Sequence, residues 1–179
     1  MRFLPALMLS AAILASGCAA TQRQASASYE VVAASASIPP VWLKSAVSED
    51  AETMFFVGCA EGARDLSRGE DQAESHAKTL IYAALRRDLQ RQFDAALHSK
   101  QASDPEALDH ALTSSLERLD LAGAVPVNRY WERLAVPVDD GVTYAYRLSL
   151  RFKMPKSDFA RCRAQAYEQA AIQLGLNER

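Results

Sequence analysis

Residues 142–154, VTYAYRLSLRFKM, alternate without a break: Val142, Tyr144, Tyr146, Leu148, Leu150, Phe152 and Met154 fall on one parity, and Thr143, Ala145, Arg147, Ser149, Arg151 and Lys153 on the other. Successive side chains of a strand point to opposite faces, so this is a long antiparallel strand with one buried face. Just upstream, VPVDDGV (136–142) carries Asp140-Gly141, a tight-turn signal. The preceding AGAVPVNRYWERLAV (122–136), with bends at Gly123 and Pro126, is then the partner strand of a hairpin.

Upstream, TMFFVGC (53–59) has the aromatic and β-branched density of a buried strand and ends in a polar loop. Residues 70–98 lack Gly and Pro and place Ala73, Ala77, Ile81, Leu85, Leu89, Phe93 and Leu97 at spacings of four. That spacing predicts one long helix whose apolar ridge winds by about 40° per step, as a cover for a twisted sheet should. Arg86, Arg87, Gln90, Arg91 and Asp94 form its solvated side. A shorter helix starts at Pro105, capped by Asp104, with Leu108, Leu112, Leu116 and Leu119 inward. A closing helix runs from Ser157 with Phe159, Cys162, Ala166 and Ala170 inward and stops at Gly175. The order strand, long helix, short helix, β-hairpin, C-terminal helix predicts an α+β fold: a small antiparallel sheet with helices packed on one face.

The chain has 179 residues, 49% hydrophobic and 23% charged, enough for one domain with a core. A net charge of −2, divided among interspersed acids and bases without a basic block, gives no source of long-range attraction to nucleic acid or to anionic lipid headgroups. Residues 1–17 differ from the rest: Arg2 is their only charge, and Phe3–Ala15 form an apolar run of signal-peptide length, too short for a comfortable membrane span. The following Leu-Ala-Ser-Gly-Cys (14–18) closely resembles the bacterial lipoprotein signal, which implies cleavage before Cys18 and acylation of its thiol. Several acyl chains on one residue imply a stable lipid anchor. Ala19, where an Asp would imply inner-membrane retention, implies the outer membrane. Residues 18–37, the lipidated cysteine followed by an Ala/Ser/Gln-rich stretch, read as a flexible tether, and the domain is expected to span 38–179 from the change at IPPVWL (38–43).

Chemistry-bearing residues are scattered. Cys59 and Cys162 form either a disulfide or two buried apolar contacts, the second being preferred because both sit on predicted core faces. No C-x-x-C or H-E-x-x-H spacing suggests a metal around His76, His98 or His110, and no cofactor motif appears. Glu70, Asp71 and Glu74 read as first-turn acids stabilised by the helix dipole in preference to an acid–base or metal site. Ser67, Ser75 and Ser114 lie in no hydrolase motif. NRYWER (128–133) offers Tyr130, Trp131 and Arg133 as an interaction surface, with one aromatic expected in the core and the other outside.

Pro40-x-Trp42, then Phe55-Phe56-Val57-Gly58, then a helix studded with Ala73, Ala77, Ala83 and Ala84 resembles the lipoprotein-20-like family of bacterial outer-membrane lipoproteins over residues 38–154. Cys59, Ala60 and Glu61 depart from the small Gly and Ser residues often found there. The resemblance implies a non-enzymatic α+β lipoprotein with a structural or assembly role in the envelope, in a flagellar or other envelope-spanning complex. Its partners are then outer-membrane lipid through Cys18 and envelope proteins or further copies of itself, with the domain facing the periplasm. The alternative is a periplasmic ligand-binding or accessory module for peptidoglycan or a secretion machine.

Overall fold

The computed structural model describes residues 29–98 and 104–176. The predicted hairpin is its centre: β4 (Val125–Val138) and β5 (Gly141–Pro155) pair antiparallel from Val125↔Lys153 to Val138↔Gly141. The turn is Asp139-Asp140, and Gly141 follows at φ +146, a conformation that favours glycine. β3 (Thr53–Ala63) pairs with the other side of β5. Two short strands complete the edges, β1 (Glu30–Ala34) on β4 and β2 (Val47–Glu49) on β3, giving the order β1-β4-β5-β3-β2. The fold is α+β, with α1 (Leu66–His98), α2 (Pro105–Glu117) and α3 (Lys156–Gln173) as its helices.

β1 corrects the expected tether: residues 30–34 lie in the sheet, so the domain begins before residue 38. An edge strand needs only one partner, and EVVAA sits among Ala and Ser that dilute its β signal. The signal segment, Cys18 and the tether up to residue 28 lie outside the described residues, as does the side chain of Leu97. Between β1 and β2 the chain passes from one edge of the sheet to the other, four strand spacings or about 19 Å. Its 3-10 turn Val41–Lys44 carries the half-buried Trp42 and Leu43.

α1 covers β3 and β5. Ala73, Ala77, Ile81, Leu85, Leu89 and Phe93 are all fully buried. At the contact with β3, a Cβ added to Gly58 would stand 1.8 Å from the Ala73 carbonyl oxygen and 2.7 Å from the Ala77 nitrogen. The small residues at 58, 73 and 77 therefore let helix and strand backbones touch. α2 and α3 pack on each other and on the far part of α1, burying Leu108, Leu112, Leu116, Phe159, Cys162, Ala166 and Ala170. Phe93 of α1 stacks on Tyr167 of α3 with centroids 4.6 Å apart.

The helix ends follow their local chemistry. Asp104 accepts from the amides of Glu106 and Ala107, as expected for an N-cap followed by Pro105. α3 ends at Gly175, φ +65, whose amide donates to the Ile172 carbonyl while that of Leu176 donates to Ala171, a Schellman motif. α1 begins one turn earlier than residue 70, at Leu66, because Asp65 accepts from the Arg68 amide at 2.8 Å.

The face of the sheet turned away from α1 is not a plain solvent face. Tyr130, Leu134 and Ser149 pair within β4 and β5 on that parity, as does Val57 of β3, and all four are buried.

Candidate interaction surface

Tyr130, Trp131 and Arg133 all lie on β4. Tyr130 lies opposite Ser149 on the face away from α1, and Trp131 lies opposite Leu148 on the helix side. The opposite-face expectation therefore holds, but the surface assignment of Tyr130 does not: only 5% of it is exposed, and its hydroxyl donates to Glu132 Oε1 at 2.9 Å. Burial, and then that carboxylate, push the phenol above its ordinary pKa. Tyr130 is thus a packed, hydrogen-bonded side chain and not an interface residue.

Trp131 is half-buried and meets Tyr146 edge-on at 6.1 Å. Arg133 is also half-buried, with its guanidinium carbon 4.0 Å from the centre of the Tyr144 ring. Tyr144 and Val142 continue this row on the helix-side parity and are exposed. The row is continuous with the core parity of β5, yet among the described residues no helix lies over it. α1 starts at Leu66, and Gly69 stands against Leu148, so the strand before residue 148 projects past the helices. Val142 and Tyr144 lie on the parity expected to be buried yet are exposed, because alternation marks a face without marking where the covering helix stops.

On the opposite face the same end of the sheet carries a groove of about 340 Å³ lined by Tyr29, Leu134, Val136, Ala145 and Arg147 among others. Arg147 donates to Glu132 Oε2 at 2.9 Å and stands 3.6 Å from Glu61 Oε1, so its charge is already balanced by two carboxylates.

The other candidates disperse. Glu70 pairs with Arg129 of β4 and Glu74 with Lys78 at 2.7 Å, while Asp71 is exposed. With the helix starting at Leu66, none of the three is in its first turn, so the dipole explanation gives way to ion pairs for Glu70 and Glu74. Cys59 and Cys162 are both free, which removes the disulfide. Cys162 is buried as expected, its sulfur 3.6 Å from the Asp120 carbonyl oxygen and its pKa raised by burial. Cys59 is exposed, which corrects its core assignment: it shares the Ser149 parity, not that of Leu148. Its amide donates to His76 Nδ1 at 3.0 Å, so His76 caps the edge of β3 beyond the short β2. Arg86, expected on the solvated side, pairs with Asp109 of α2.

Among the described residues no helix is long and apolar enough to cross a membrane, and no group of three or more His, Cys, Asp or Glu is placed to hold a metal ion. No family model, curated protein or solved structure matches the chain.

Proposed function

We propose that this chain is an acylated outer-membrane lipoprotein, not an enzyme, whose domain serves a structural or assembly role in the cell envelope, in a flagellar or other envelope-spanning complex. The observation that carries the proposal is the apolar run Phe3–Ala15 ending in Leu-Ala-Ser-Gly-Cys at Cys18. Acyl chains on Cys18 anchor the protein in lipid, and the domain works through contacts with envelope proteins or further copies of itself, facing the periplasm. Cys18→Ser removes the only acceptor in the signal, so the protein should leave the outer-membrane fraction and accumulate unacylated. Retention of an unacylated variant in that fraction would sink the proposal.

One observation favours a second reading as a ligand-binding or accessory module for peptidoglycan or secretion machinery: the groove beside Tyr29, Leu134 and Arg147. The delipidated protein distinguishes the two. Rings or higher oligomers support assembly, whereas a monomer that takes up a small ligand in the groove supports binding.

A further inference from the structure

Half of the exposed large apolar side chains among the described residues, six of twelve, sit at one end of the sheet: Val142 and Tyr144 on the helix-side face, Val31 and Val138 on the other face with Tyr29 at its groove, and Val32 at the bulge of β1. This is the end that projects past the helices. Val142 and Tyr144 are 56% and 48% exposed, and the guanidinium of Arg133 lies on the Tyr144 ring. The row lacks a cover from this chain's described elements.

The path of the chain says what covers it. β1 lies with Glu30 opposite Ala135, three residues before Val138 closes the turn with Gly141. The segment from Cys18 therefore enters the fold at the hairpin end. Eleven steps of chain separate Cys18 from Tyr29, at most about 40 Å when extended. α1, with 33 residues, is about 50 Å long and runs from its start at this end toward the opposite one. A lipid anchor at Cys18 thus holds the hairpin end, and not the helical end, within reach of the bilayer in every orientation. Over so short a tether even a weak surface affinity becomes an intramolecular contact.

We infer that the hairpin lies on the bilayer that holds Cys18, with Val142 and Tyr144 at the headgroup–acyl boundary and Arg133 reaching lipid phosphate. The inference rests on the acyl anchor proposed above. Tyrosine suits a membrane interface because its ring is apolar and its hydroxyl wet, and an arginine laid along the ring extends its charge to the headgroups. Asp139 and Asp140 at the turn are exposed. They stay in the headgroup layer, so the strip lies along the surface and does not enter tip first.

The test uses the full, acylated protein reconstituted in phosphatidylcholine vesicles with and without brominated acyl chains. A single reporter at the strip is made by Trp42→Phe, Trp131→Phe and Tyr144→Trp, and the reference is Trp131→Phe, which keeps Trp42. The strip reporter should lose emission in brominated vesicles and shift to shorter wavelength, while Trp42 does neither. An acylated protein whose strip reporter is no more quenched than Trp42, or whose strip crosslinks instead to a second copy, overturns the inference and leaves the anchor standing. Mass analysis that finds Cys18 unacylated overturns the anchor and the inference with it.

Discussion

Gly58 lies where α1 rests directly on β3, and the 1.8 Å approach of a virtual Cβ to the Ala73 oxygen leaves no room for any side chain. Gly58→Ala should therefore cost about 3 kcal/mol or more in urea unfolding, since neither backbone can give without separating helix from sheet. Gly62→Ala meets nothing within 4 Å but must hold φ +72, so it should cost only about 1–2 kcal/mol. Equal losses would show that the close contact is not what requires glycine at 58. On the same helix-facing parity, Leu148 is fully buried, and Leu148→Ala should cost about 2–5 kcal/mol. Ser149→Ala, on the other face, should cost under about 1 kcal/mol, its neighbour Cys59 Sγ lying at 3.5 Å. The two thiols give an independent reading of the faces. A maleimide added to the native protein should label Cys59 and leave Cys162 unmodified until the chain unfolds, because Cys162 is buried and its thiol is held protonated.

At the scale of elements, the β2–β3 turn is held by Asp50, whose carboxylate accepts from the amides of Glu52 and Thr53 at 2.9 and 2.8 Å. Those bonds hold its pKa below the ordinary carboxylate value. A carboxylate depressed in the folded state stabilises above its unfolded pKa and loses that contribution as pH falls through the folded one. The stability gap between wild type and Asp50→Ala should accordingly be open at neutral pH and narrow in acid, as read by urea unfolding at the two conditions. How far such elements are legible in sequence depends on how many contacts write them. The hairpin, α2 with its Asp104 cap, and α3 with its Gly175 stop are each encoded locally, by alternation or by capping chemistry. β1 and β2 were not legible: three to five residues on an edge have one partner strand and need little apolar signal. Glu70, Asp71 and Glu74 were misplaced for a related reason, since the single cap at Asp65 shifts the helix start by a turn. Among the candidate surface residues, the opposite faces of Tyr130 and Trp131 followed from strand geometry. The burial of Tyr130 did not, because it depends on what covers the second face of the sheet.

The whole molecule has two unlike ends. One is helical, built on Phe93, Tyr167 and the leucines of α2; the other is the hairpin, which no described helix covers, beside the entry of the N-terminal chain. If the acyl anchor and the hairpin–bilayer contact proposed above both hold, this polarity turns the hairpin end toward lipid and leaves α2 and α3 directed toward the periplasm. Replacing Glu70, Asp71 and Glu74 together with Ala should leave envelope function intact and cost under about 2 kcal/mol, since two exposed ion pairs contribute about 0.2–1 kcal/mol each. A folded triple variant without function would instead make those acids a site. The central claim is the anchor itself, and it is read most directly by intact-mass and N-terminal peptide analysis of the protein extracted from cell envelopes. The account predicts a chain that begins at Cys18, lacks residues 1–17 and carries acyl mass on that cysteine. A chain that retains Met1, with Cys18 unmodified, would contradict it.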